Sequence, residues 1–195
     1  SPDYFYIIPR TSNLIQGTTK NDVLIGTDLN DRIEGSPSYQ KRFGYGLDQD
    51  TLEGGLGDDL LIGGNSDPGS GGYVVDWFRF KENFGNDTIL QFFASDITKA
   101  ANGGYGYVYD DDDGGAIWSD RIEIPISLAS SATEIINNAQ DNEDGWVKIN
   151  VGDNSILLHG ITKEQLKPDY FHIIPDIESY FIGSYGESDT LTGDE

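Results

Sequence analysis

An aspartate followed two residues later by a large apolar residue, recurring in nine-residue frames headed mostly by glycine, constrains this chain more than any other feature. GTTKNDVLI from Gly17 abuts GTDLNDRIE from Gly26, and YGLDQDTLE from Tyr45 abuts GGLGDDLLI from Gly54; GGYVVDWFR from Gly71 and ENFGNDTIL from Glu82 follow. The last three residues of each frame suit a strand roughly 10 Å long, whose middle side chain points to one face while its neighbours point to the other. Leu24, Ile33, Leu52, Leu61, Phe78 and Ile89 are therefore expected to line an interior. The six preceding residues must reverse the chain, and glycine permits the positive φ angles and close approaches that such turns need. Two frames then complete one coil. With one large apolar side chain per nine residues, the coil is too thin to hold itself by packing alone.

Stacking the coils sets Asp22, Asp31, Asp50, Asp59, Asp76 and Asp87 in two rows along the turn edges, where like charges repel. Calcium resolves the conflict, because it takes 6 to 8 oxygen ligands at roughly 2.3 to 2.6 Å from carboxylates and carbonyls. Magnesium suits the turns less well, since it demands tighter octahedral geometry and sheds its waters reluctantly. A single Asp-Gly stretch would read as an ordinary β-turn, but six frames at one spacing favour the ion. Two spacers, residues 35–44 and 63–70, are each about one frame long. If the first fills a turn, Asp31 faces Asp50 and Asp59 faces Asp76. If it loops out, Asp22 faces Asp50 and Asp31 faces Asp59.

The pattern resembles the calcium-binding nonapeptide G-G-x-G-x-D-x-U-x of the RTX (repeats-in-toxin) family. Gly54-Gly55-Leu56-Gly57-Asp58-Asp59-Leu60-Leu61-Ile62 matches it at every fixed position, whereas Thr18 and Thr27 replace the second glycine and Lys20, Leu29 and Val74 the fourth. The resemblance implies a mainly all-β chain, a right-handed parallel β-roll with a β-rich C-terminal flank carrying one or two short helices. Its implied calcium ligands are the six aspartates together with Gly17, Thr19, Asn21, Gly26, Asp28, Asn30, Asp48, Gly54, Leu56, Gly57, Asp58 and Asn86.

Thirty-four acidic against 12 basic residues give a net charge of −22, which disfavours nucleic acid and acidic lipid surfaces as partners. A 36% hydrophobic share still allows a packed core once that charge is neutralised. Cysteine is absent, so disulfides play no part, and no apolar run is long enough to insert in a membrane. Zinc-protease, nucleophile-elbow and phosphate-loop motifs are missing. The two histidines, His159 and His172, sit in apolar strands and read as structural. Asp67-Pro68 is a candidate for the calcium-dependent Asp-Pro cleavage known in some RTX proteins, although a glycine-flanked turn explains it more simply. The chain is read as non-enzymatic.

Four segments emerge: 1–12, the end of a preceding unit; 13–92, the roll; 93–175, a β-rich flank; and 176–195, the start of the next unit. In the flank, residues 121–127 alternate as a half-buried strand, and Ser131 with Glu134 forms a capping box opening a helix over 131–140. Residues 146–151 and 155–159 pair as a hairpin, and Thr162 with Gln165 forms a second box before Pro168. The acidic run 110–113 reads as a solvated loop.

PDYFYIIP from Pro2 recurs as PDYFHIIP from Pro168, 166 residues later. This predicts one period of a tandem array, with neighbouring units of the same chain as partners. The function expected is a calcium-folded spacer or adhesin unit of a secreted or surface bacterial protein. RTX proteins typically leave by type I secretion. The alternative is a calcium-dependent module binding an extracellular glycan, similar to the R modules of secreted mannuronan epimerases, with Tyr105, Tyr107 and Tyr109 stacking on sugars.

Overall fold

The structure, a computed structural model, describes residues 13–35, 49–64, 75–94 and 119–176. The chain is mainly β, with twelve strands among the described residues: β1 (Asn13–Gln16), β2 (Val23–Ile25), β3 (Asp31–Glu34), β4 (Thr51–Glu53), β5 (Leu60–Ile62), β6 (Trp77–Arg79), β7 (Asn86–Leu90), β8 (Arg121–Pro125), β9 (Ala139–Asp141), β10 (Val147–Val151), β11 (Asn154–Leu158) and β12 (Phe171–Ile174). Helix α1 spans Ala132–Asn137. From β1 to β8 successive strands alternate between two sheets. One runs β1-β3-β5-β7-β11-β10-β9 and the other β12-β8-β6-β4-β2. The second is parallel throughout, and the first is parallel as far as β11.

Each apolar residue that follows an aspartate by two positions joins an inward column. In one sheet Ile15, Ile33, Leu61, Ile89 and Leu158 lie in register; in the other Leu24, Leu52, Phe78, Ile122 and Phe171 do. Ile33, Leu52, Leu61, Phe78 and Ile89 are fully buried, while Leu24 and Ile15, on the first rung, are only partly so. The turn between β6 and β7 fills the interior with aromatic rings, Phe80 lying 4.7 Å from Phe84.

Register decides between the two pairings. β2 pairs with β4 and β3 with β5, so Asp22 neighbours Asp50 and Asp31 neighbours Asp59. The alternative that joined Asp31 to Asp50 and Asp59 to Asp76 therefore does not occur. Asp50 neighbours Asp76 instead, across β4 and β6.

β8 differs from the half-buried strand expected of residues 121–127. Its burial does not alternate, because β6 and β12 flank it and all residues but Arg121 are buried. It continues the repeat: GAIWSDRIE from Gly115 carries aspartate at position six and isoleucine at position eight. This seventh frame departs from the pattern in that Ala116 and Trp118 stand in place of its second- and fourth-position glycines.

The flank closes the far end. α1 is capped as its sequence requires, the Ser131 hydroxyl accepting from the Glu134 N–H. It stops at Asn137, short of the expected 140, because Ala139–Asp141 is drawn into β9 against β10. β10 and β11 form the hairpin around Gly152 (φ +59°). Thr162 and Gln165 cap a single 3-10 turn, Lys163–Gln165, and Pro168 opens another, Pro168–Tyr170, rather than ending a helix. Tyr170 packs on Phe92 at 5.7 Å, joining flank and repeats in one core. No helix among the described residues is long and apolar enough to cross a membrane.

Candidate metal centre

The position-six aspartates form two ladders, one on each edge of the paired sheets. On one edge Asp22 donates its main-chain N–H to Asp50 Oδ1 (3.0 Å), Asp50 to Asp76 Oδ1 (3.0 Å) and Asp76 to Asp120 Oδ1 (2.9 Å). On the other, Asp31 donates to Asp59 Oδ1 (2.7 Å) and Asp59 to Asp87 Oδ1 (2.8 Å). Asp50, Asp76, Asp120, Asp59 and Asp87 thus each keep one carboxylate oxygen on the backbone of the preceding rung. Asp31, Asp50, Asp59, Asp76, Asp87 and Asp120 are all buried. Neighbours about 5 Å apart repel by about 3 kcal/mol at an effective dielectric constant near 20.

A parallel ladder runs through position five. Asn21 Oδ1 accepts from the Gln49 N–H (3.0 Å), Asn30 Oδ1 from the Asp58 N–H (3.0 Å) and Asp58 Oδ1 from the Asn86 N–H (2.8 Å). These side chains, candidate ion ligands from the sequence, tie rung to rung in the structure.

The second carboxylate oxygen separates the turns into kinds. Asp22 Oδ2 accepts from the Thr18 N–H (2.5 Å) and hydroxyl (2.8 Å), and Asp31 Oδ2 from the Thr27 N–H (2.6 Å) and hydroxyl (2.8 Å). The same hydroxyls accept from the N–H groups of Lys20 and Leu29 at 3.2 Å. These threonine turns satisfy their own aspartates. In the turn 54–59, Gly55 (φ +101°) stands where Thr27 does and brings no hydroxyl. Asp59 Oδ2 and Asp87 Oδ2 are buried with no hydrogen-bond partner. A Cβ on Gly54 would lie 2.1 Å from Asp59 Oδ2, so the glycine leaves the space that oxygen occupies.

Burial is the chief cause that raises the Asp59 carboxyl to about 6 and Asp87 to about 9. Main-chain N–H groups pull both down, and neighbouring carboxylates, Asp58 included, push both further up. Asp120 rises to about 7 through burial, against the N–H groups of Phe93 and Asp76 that hold its two oxygens. The signal for Asp120 lay in the sequence, since SDRIE at 119–123 repeats NDRIE at 30–34 apart from its first residue.

Two orphaned buried carboxylate oxygens on adjacent rungs fit a hard cation. Among the described residues no three carboxylate, imidazole or thiol groups converge on one point, so further ligands would be main-chain oxygens of the glycine turns, as calcium accepts. Gly54, Leu56, Gly57 and Asp58 lie in the turn between β4 and β5, and Gly26, Asp28 and Asn30 in the turn between β2 and β3. Gly17, Thr19 and Asn21 belong to the opposite edge, between β1 and β2. Asp48, Asp67-Pro68, the run 110–113 and the three tyrosines at 105, 107 and 109 lie outside the described residues. His159 packs on Trp146 (3.9 Å) and His172 meets Trp77 edge-on (5.7 Å). No protein-family model matches the chain, and no curated protein matches it.

Proposed function

We propose that the chain is a calcium-binding β-roll of the RTX type, serving as a structural unit of a tandem secreted or surface bacterial protein that folds when calcium is supplied. The observation that carries this reading is the buried, unpartnered Oδ2 of Asp59 and of Asp87, one rung apart. Asp59 and Asp87 would hold the ion, with main-chain oxygens of the turn 54–59. When bound, calcium supplies positive charge that lets both carboxylates ionise inside the fold. Without it, each must stay protonated or repel its neighbour, so binding free energy becomes folding free energy. The threonine-closed turns at 17–22 and 26–31 need an ion less.

A net charge of −22 and the repeat of PDYF-x-IIP 166 residues apart support a chain of like units kept apart outside the cell. Far-UV circular dichroism across a calcium titration at neutral pH tests the reading. The strand signal is expected to grow with calcium and to vanish in excess chelator. Full native signal in chelator would overturn it.

A further inference from the structure

The second residue of the frame sorts four of the turns into two backbone forms. In the turns 54–59 and 82–87 that residue lies at positive φ, Gly55 at +101° and Asn83 at +61°, and the fourth-position glycines Gly57 and Gly85 follow at +110° and +86°. The turns 17–22 and 26–31 contain no positive φ. A β-branched residue avoids that region, whereas glycine enters it freely and asparagine at small cost. Thr18 and Thr27 therefore hold their turns in the other form.

The form decides what the position-six carboxylate meets. In the turn 26–31 the N–H and the hydroxyl of Thr27 both donate to Asp31 Oδ2, at 2.6 and 2.8 Å. The side-chain amide of Asn13 donates to Asp31 Oδ1 at 2.8 Å, so three donors hold one carboxylate. Thr18 makes the same two contacts with Asp22 Oδ2. Gly55 and Asn83 make neither, and Oδ2 of Asp59 and of Asp87 is buried without a hydrogen-bond partner. The two open turns are also neighbours. β5 pairs with β7, and Gly57 and Gly85 pack so closely that a Cβ on Gly85 would lie 1.8 Å from the Gly57 carbonyl oxygen. A cation entering between them meets two free carboxylate oxygens, whereas one approaching Asp31 must displace three donors.

We propose that the second residue of the frame selects which rungs bind the ion. Threonine seals its aspartate with its own N–H and hydroxyl and keeps a cation out; glycine or asparagine leaves the aspartate open to one. The proposal rests on the calcium reading above and adds where that ion sits: between the turns 54–59 and 82–87, and on neither Asp22 nor Asp31. The threonine does locally what the metal does elsewhere in the roll.

Calcium bound per chain, counted by equilibrium dialysis at saturating free calcium on protein shown to be folded by circular dichroism, tests the selector. Thr27→Gly is expected to take up one ion more than the parent, Thr27→Ser as many as the parent, and Asn83→Thr one fewer. An unchanged count in Thr27→Gly or in Asn83→Thr, or an additional ion in Thr27→Ser, overturns the proposal. Should those variants fail to fold, Asp31→Asn decides: it is expected to keep the parent's count, and the loss of an ion overturns the proposal. A parent that folds and binds no calcium refutes the calcium reading instead. The seal is then judged by thermal melting of Thr27→Val, which keeps the shape and removes the hydroxyl; its melting temperature is expected to fall about 4 °C below the parent's, and an equal value overturns the seal as well.

Discussion

Replacing Asp87 by asparagine separates the two things its carboxylate does. Oδ1 accepts the Asp59 N–H at 2.8 Å, and asparagine can keep that bond; Oδ2 is buried without a partner, and there asparagine places a neutral NH2. The Asp87 carboxyl is raised from 3.8 to about 9 in the fold, so between those values the folded state holds a proton that the unfolded chain has released. Stability from this group is therefore complete below about pH 4 and is lost as pH rises toward 9. At pH 7 the loss amounts to about 4 kcal/mol. Asparagine removes it, at a cost of about 1 to 3 kcal/mol for a buried donor lacking an acceptor. In chelator at pH 7, Asp87→Asn is thus expected to be more stable than the parent by about 2 kcal/mol, or about 4–8 °C in melting temperature. Where the parent is already unfolded, the variant retains more strand signal. Calcium at about a thousand times its Kd stabilises the parent by about 4 kcal/mol, and a variant that has lost the charged ligand forgoes it, so the order of stabilities reverses. Thermal melts by circular dichroism, with and without calcium, read both halves. A variant destabilised by the same amount in chelator and in calcium would refute the reasoning, because Oδ2 would then carry no charge-specific role.

Two further substitutions probe the ladders. Gly85→Ala places a Cβ 1.8 Å from the Gly57 carbonyl oxygen at a φ of +86°, so the rungs must separate; a loss above about 3 kcal/mol is expected in urea unfolding. Asp120→Ala orphans the buried N–H of Asp76 and the half-buried N–H of Phe93, and a loss of about 2 to 5 kcal/mol by the same assay, little changed by calcium, would mark Asp120 as a protein-closed end of its ladder.

The nine-residue frame fixed what is local. It set Leu24, Ile33, Leu52, Leu61, Phe78 and Ile89 facing inward and gave each its aspartate two residues earlier, because strand alternation and glycine turns act over a few residues. Which aspartates meet is not local. Neighbours in the ladders lie 28 residues apart for Asp31 and Asp59, 26 for Asp50 and Asp76 and 44 for Asp76 and Asp120, and loop closure grows costlier only slowly with length. The number of intervening residues therefore could not choose the partner; the register of the inward columns did. Asp120 was legible in SDRIE, although Ala116 and Trp118 stand in place of the frame's glycines. Only the tertiary structure set the Thr18 and Thr27 hydroxyls on their own aspartates and left Asp59 and Asp87 each with a buried oxygen without a partner. That division depends on turn conformation and on burial by neighbouring rungs, which no single frame contains.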